Sequence, residues 1–389
     1  MTHTLSPKKS APAKLLKSII NPMRNALHGA PVLESGSNRP LKMTIEQQLI
    51  ILVYFHLNDY KSGRHLLQAL EQDDFAREII APDGGIGKST FFDAINERGL
   101  EQFLYVFQQL FKQAQKEIPK EFESLGDLVA IDGSLIDAVL SMTWADYRTG
   151  AKKAKAHVGF NINRSIPQKV FLTEGNAGER PFVDQILDPG QTGVMDRGYQ
   201  SHNLFDQWQN SGIHFVCRIK ANTKKTCIKE LSFDPSGPVF YDAIVRLGQP
   251  GVNETQKELR LVGYKVGDKS YWVATDRFDL TAEQVAMVYK LRWNVESFFA
   301  WWKRHMRVYH LISRSQHGLM IQILAGLITY LLLSLYCNKE FNGKVTLKRL
   351  RAIQIQIANE LRQGKIIDFW EDDSVSEPVP DETQMLANL

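Results

Sequence analysis

Two short apolar runs, Leu128-Val129-Ala130-Ile131 and Gly193-Val194-Met195, each lead straight into an aspartate, Asp132 and Asp196. Runs of this length read as buried strands, and strands buried on both faces belong inside a sheet that helices cover. The surrounding chain agrees. Residues 157–163 and 169–173 read as two strands joined by a turn containing Pro167. A helix starts at Glu179-Arg180-Pro181, where proline suits the first turn, and a helix over 202–210 leads into a strand over 213–219. Three strands, helix, strand, helix, strand describe a mixed α/β sheet with helices on its faces.

Upstream, from Thr44, the pattern is helical, with helices expected at about 44–57, 61–70, 88–98 and 100–117. Thr44 and Gln47 form a capping box. The segment Gly87-Lys88-Ser89-Thr90 looks like the end of a phosphate-binding loop, but its first glycine would fall at Pro82 and no strand precedes it. It reads instead as the start of a short helix stopped by Gly99. In a helix-turn-helix arrangement Lys88, Ser89, Asn96 and Arg98 would face DNA, and a purely structural bundle fits the same pattern. Residues 1–40 set Lys8, Lys9, Lys14, Lys17 and Arg24 against the single Glu34, among Pro7, Pro12, Pro22, Pro31 and Pro40. That composition predicts a basic flexible arm able to lie along a phosphate backbone, and a plain disordered tail fits it equally.

Downstream, 239–247, 258–266 and 269–275 are expected as strands separated by glycine-containing turns. An uncharged 18-residue segment, 320–337, is interrupted by Gln322, Thr329 and Ser334 and reads as a buried helix rather than a membrane span. A basic amphipathic helix at 346–362 and an acidic tail with Pro378 and Pro380 close the chain. The expected organisation is a basic arm (1–40), a helical domain (41–125) that a helix-turn-helix arrangement would set against DNA, an α/β domain in two parts (126–223 and 277–340) around a β-rich insertion (224–276), and a C-terminal helix with its tail (341–389).

A hydrophobic content of 43% with 23% charged residues is that of a globular protein, and a net charge of +4 does not by itself announce a nucleic-acid binder. Cys217, Cys227 and Cys337 show no paired spacing, which argues against a disulfide framework or zinc ribbon and fits a reducing cytoplasm. No secretory signal is expected.

A third carboxylate comes from a helix. Thr281 and Gln284 form a second capping box, which starts a helix near Ala282. At 100° per residue, Tyr289, Arg292, Glu296 and Lys303 fall on a stripe about 60° wide. Beside it lies an apolar face of Val288, Leu291, Val295, Phe298 and Trp302, and Trp293 is expected in the core. Taken alone, Arg292 and Glu296 are an ordinary i,i+4 pair. With Asp132 and Asp196 they take on another meaning, because three converging carboxylates cannot all stay ionised without a cation. Oxygen-only ligands with no His or Cys cluster favour magnesium or manganese. Two such ions suit in-line phosphoryl transfer, the chemistry of a nuclease or strand-transfer site.

Asp132, Asp196 and Glu296, together with Tyr289-x2-Arg292-x3-Glu296-x6-Lys303, resemble the DDE transposases of bacterial insertion sequences, in the group marked by a Tyr-Arg-Glu-Lys signature. The resemblance covers roughly 40–340. It implies a ribonuclease H-like α/β fold, a mixed sheet flanked by helices, with a β-rich insertion before the Glu and an N-terminal helical domain. The 100 residues between Asp196 and Glu296, against 64 between Asp132 and Asp196, leave room for that insertion. Asp132, Asp196 and Glu296 would bind two Mg2+ ions, with Mn2+ as a substitute, while Tyr289, Arg292 and Lys303 would hold DNA phosphates. Tyr199, in the motif of the second Asp, would contact DNA, Arg218 and Lys220 match a DNA-contacting basic pair, and Trp272 a tryptophan that stacks on a flipped base. For Trp272 a half-buried strand residue is an equal reading, and Lys155 and His157 are a basic run that would touch phosphate or serve the structure.

The implied activity is cut-and-paste transposition: cleavage at the element's ends and strand transfer into target DNA, with a hairpin route left open. The implied partners are double-stranded DNA (terminal inverted repeats and target) and a second copy in a homodimeric synaptic complex, with no membrane, in the cytoplasm at the nucleoid. An inactive DNA-binding regulator of the same fold and a ribonuclease H-like nuclease are the rival readings.

Overall fold

The computed structural model describes residues 14–33, 41–73, 76–306 and 308–363. The acidic tail and the outer parts of the expected arm, 1–13 and 34–40, lie outside the described residues. The described residues divide into two compact units, those up to Ile118 with those from Trp302 onward, and Pro119–Trp301.

The first unit opens with five helices: α1 (Lys14–Leu27), α2 (Ile45–Leu57), α3 (Gly63–Gln72), α4 (Lys88–Glu97) and α5 (Leu100–Glu117). The first of these corrects the expectation of a flexible arm across 1–40. Leu15, Leu16, Ile19, Ile20 and Met23 recur at helical spacing and are buried, and that apolar face outweighs Pro22 and the basic charge. The backbone N–H of Leu15 donates to the Glu360 carboxylate at 3.1 Å, so a remote acid caps this helix. The Thr44–Gln47 capping box of α2 is present as expected.

The second unit holds a ten-stranded sheet: β1 (Leu128–Asp137), β2 (Asp146–Tyr147), β3 (Ala151–Asn161), β4 (Ile166–Glu174), β5 (Thr192–Met195), β6 (His214–Arg218), β7 (Lys225–Glu230), β8 (Val239–Leu247), β9 (Leu259–Val266) and β10 (Lys269–Thr275). The order is β2-β3-β1-β5-β6-β10-β9-β8-β7, with β4 paired to β3. β1, β5 and β6 are parallel and every other pairing is antiparallel. This is the mixed ribonuclease H-like sheet the resemblance implied. The β-rich stretch is continuous with the central sheet, because β10 hydrogen-bonds to β6 through Val273↔Arg218, Ala274↔Cys217 and Thr275↔Val216.

Four helices accompany the strands: α6 (Val183–Ile186), α7 (His202–Asn210), α8 (Ala282–Leu291) and α9 (Trp293–His305). Phe205 and Trp208 of α7 join Val129, Ile131, Phe215 and Leu261 in one buried cluster on one face. On the other face α8 lies across β6, β8, β9 and β10. Its start is fixed by Arg277, which donates to Leu125 O (3.0 Å) and Thr192 Oγ1 (2.7 Å), and by the Thr281–Gln284 capping box. Beneath it, Arg260 and Asp242 form a buried ion pair at 2.7 Å.

The remaining helices, α10 (Gln316–Phe341) and α11 (Leu347–Gln363), return to the first unit. α10 is long and apolar enough to cross a bilayer, yet its residues from Gly318 to Leu335 are nearly all buried in protein, against α1, α2, α4 and α5.

Candidate active site

Asp132 does not end its strand, as the apolar run suggested, but lies within β1, which continues to Asp137. Asp196 directly follows β5. The parallel pairing Ala130↔Val194, continued two residues along both chains, brings the two aspartates level at the carboxyl end of the sheet. Each carboxylate accepts from a nearby glycine N–H: Gly133 to Asp132 Oδ1 at 2.9 Å, and Gly198 to Asp196 Oδ1 at 2.7 Å. Side chains on Gly198 would crowd that contact, since a β-carbon there would stand 2.9 Å from Asp196 Oδ1.

Glu296 reaches this end on α9. Phe298 stacks on Phe160 of β3 (4.8 Å between centroids), and Phe160 pairs with Ala130, so the start of α9 packs on the Asp132 side of the sheet. The helix is not continuous with α8. Arg292 separates them, with i to i+3 hydrogen bonds from Arg292 N to Tyr289 O and from Val295 N to Arg292 O, both 3.1 Å. That tight turn breaks the 100° arithmetic. Tyr289 and Arg292 are buried (2% and 7% exposed) instead of lining an open stripe, and Trp293, expected in the core, is 55% exposed.

The Glu296 carboxylate is bonded to Arg292 Nη2 at 2.7 Å. Among the described residues, no three His, Cys, Asp or Glu side chains stand close enough together to hold a metal ion. Asp132 and Asp196 nevertheless act on each other. Burial pushes the Asp132 carboxyl up to about 7 against the opposing pull of Arg292 and the Gly133 N–H, and the Glu179 and Asp196 charges push the same way as burial. A carboxylate so disfavoured as an anion, with like charges beside it, is one that a bound cation would stabilise. The donors therefore suit a hard divalent ion, with Glu296 turned to arginine.

Glu179 was not foreseen as a site residue. Its carboxylate pairs with Lys155 Nζ at 3.3 Å, and it stands against Gly133. The signal was present only as a glycine following Asp132. Lys155 also donates to Ala177 O at 2.8 Å, so this lysine is engaged within the unit.

Burial decides between the two readings of His157 and takes Tyr199 away from the DNA-facing surface. His157 is 1% exposed, stacks on Phe182 at 4.1 Å and bonds Thr173 Oγ1 at 2.8 Å. Burial, and then Lys155, bring its pKa down to about 4, so it offers no positive charge to a phosphate near neutral pH. Tyr199 is also 1% exposed, and its hydroxyl is pushed up by burial and then by Glu179, Asp132 and Asp196, placing it among the acids rather than on the surface.

The other predicted residues spread along the second unit and beyond it. Arg218 lies over the Tyr271 ring (4.8 Å), Lys220 is exposed, and Trp272 is half-buried with Lys225 Nζ 3.5 Å from its ring centroid. Lys303 lies further along α9, over Tyr309 at 5.8 Å. In the first unit, Lys88 is exposed at the start of α4 and Arg98 follows its end. Asn96 turns inward, accepting from Ser313 Oγ (2.5 Å) and Ser315 Oγ (3.0 Å).

Residues 123–332 match a family model described as the transposase DDE domain. The span contains Asp132, Asp196 and Glu296. The chain is 29% identical over 195 residues to the probable transposase for insertion sequence element IS5377 of Geobacillus stearothermophilus, covering 49% of this chain and about half, 52%, of that protein's length. It is 25% identical over 278 residues (70% of this chain, 76% of the other) to a protein named as transposase y4zB in Sinorhizobium fredii. A Synechocystis protein named for insertion sequence element IS4SA is 24% identical over 281 residues, 68% of this chain and 76% of its own.

Proposed function

Because this chain belongs to the transposase DDE domain family, we propose that it is a cut-and-paste DNA transposase that binds the ends of its element, cleaves them and joins them to target DNA. The observation that carries this reading is the register of β1 and β5, which sets Asp132 level with Asp196, with Glu296 on a helix whose Phe298 stacks on Phe160 of the neighbouring β3.

Asp132, Asp196 and Glu296 would hold divalent cations, Mg2+ or Mn2+. Bound there, the ions would supply Lewis-acid stabilisation of charge developing on the phosphodiester. The chain's own residues do the positioning. Arg292 presents a planar fork suited to a phosphate, and Lys303 a point charge. Tyr289 backs Arg292, whose guanidinium carbon lies 5.7 Å from the Tyr289 ring centroid. Arg218 and Lys220 at the end of β6 would meet the DNA backbone, and Trp272 would offer an aromatic face to an unstacked base. Lys88 and Arg98 are the proposed contacts of the helical unit. The working form is a homodimer pairing two ends, acting at the nucleoid in the cytoplasm.

The test is magnesium-dependent nicking of DNA that carries the element's ends. Asp132→Ala, Asp196→Ala and Glu296→Ala are each expected to abolish nicking while a mobility shift with the same DNA persists. Full nicking by any one of them removes that residue from the site, and wild-type binding without nicking favours a regulator.

A further inference from the structure

The third acid of the site is held by an arginine rather than by its fellow carboxylates. The Arg292–Glu296 pair is 2.7 Å long, and the arginine side chain is only 8% exposed. The same guanidinium acts electrostatically on Asp132. One buried positive charge thus serves acids that the proposed reaction needs for a divalent ion. Arg292 uses Nη2 for Glu296, while its Nε, also buried, makes no hydrogen bond. The fork is therefore half used. A phosphate oxygen is as good a partner for it as a carboxylate.

We propose that Arg292 latches Glu296 away from Asp132 and Asp196 until a phosphodiester of bound DNA takes the guanidinium. This rests on the transposase reading of the site and adds an order to it: DNA and divalent cation bind there cooperatively. The physical reason is the cost of half-measures. Glu296 keeps 36% of its side chain exposed, but parting the pair would leave the buried guanidinium uncompensated. The pair opens readily only when a phosphate takes the arginine, and that exchange frees the glutamate for the divalent ion. The position of Arg292 suits such an exchange, because it occupies the turn between α8 and α9 where the helical ladder is interrupted. Coupling of this kind is reciprocal, so DNA tightens the ion by the factor with which the ion tightens DNA. Free of DNA, the protein then carries no assembled cleaving centre.

The experiment is calorimetric titration of the full-length protein with Mn2+. Arg292→Gln is expected to bind Mn2+ about ten-fold tighter than wild type or more, and Glu296→Gln added to it should remove that gain. Losing a repelling positive charge alone would tighten binding equally with or without Glu296, so an equal gain in both backgrounds overturns the latch, as does no gain. If Arg292→Gln fails to fold, as shown by circular dichroism, wild type is titrated with and without a short DNA duplex. Mn2+ binding to the complex should then tighten by a similar factor, and in Glu296→Gln it should not. Unchanged affinity overturns the proposal. Asp132→Asn separates this from the reading beneath it. Mn2+ binding that survives Asp132→Asn overturns the cation site itself. Binding lost in Asp132→Asn, with no gain in Arg292→Gln, overturns the latch alone.

Discussion

The Glu179 carboxylate fills the space that a β-carbon on Gly133 would need: such a carbon would stand 2.5 Å from Glu179 Oε1 and 2.8 Å from its carboxyl carbon. Glycine after Asp132 is what lets a fourth acid approach the strand. Gly133→Ala must push Glu179, and with it the Lys155 pair, aside. Because the displaced group is the flexible end of a side chain that is 28% exposed, the cost should stay below about 1 kcal/mol. Urea unfolding should show that loss, and Gly133→Ala with Glu179→Ala should recover most of it.

Trp293 and Trp302 should respond to truncation in opposite ways. Trp302 is fully buried and Trp293 is 55% exposed. Trp302→Ala is expected to cost about 3–5 kcal/mol, whereas Trp293→Ala should stay within about 0.5 kcal/mol of wild type. Thermal denaturation of the two variants side by side checks this.

The Arg260–Asp242 pair is buried on both sides, with side chains 8% and 0% exposed. Asp242→Asn leaves the arginine charge uncompensated beneath α8 and is expected to cost about 3–5 kcal/mol. Replacing both residues with apolar ones, Asp242→Leu with Arg260→Met, should restore much of that stability in the same unfolding measurement.

His56 and His157 should be neutral in the folded protein well below the usual histidine range. Burial brings each down to about 4, His157 with a smaller contribution from Lys155. The unfolded chain takes up a proton near pH 6.5 at each site, and the folded chain does not until about 4. Their contribution to stability is thus fully present above pH 6.5 and is lost as pH falls from there toward 4. In an NMR titration both imidazole resonances should stay in the neutral position at pH 5.5. A midpoint near 6.5 at either would refute its burial as a neutral ring.

Much of this was legible in the chain. α5 and the strands β8 and β10 were readable to the residue, because long periodic or alternating runs bounded by glycine leave little choice of element. The apolar runs that lead to Asp132 and Asp196 were legible for the same reason, although Asp132 lies within β1 rather than at its end. Three things were not. In α1, Pro22 and the lysines masked an apolar face whose value appears only once other helices bury it. At Arg292 a single tightened turn rotated everything beyond it, which no fixed angular period can register. Glu179 meets Asp132 across the fold, and only three-dimensional proximity makes a carboxylate 47 residues away a neighbour.

The ladder between β6 and β10 has a consequence for how such chains can change in length. A loop can be cut or lengthened wherever both its ends stay put, but β10 is a seam in the main fabric, stitched to β6 on one side and β9 on the other. Removing residues 225–275 as a block would tear that seam and expose the flank of β6. Trimming or growth by hairpins at the distant margin, beyond β8, leaves it whole. The outer border of this sheet can thus be remodelled while the inner stitch stays fixed.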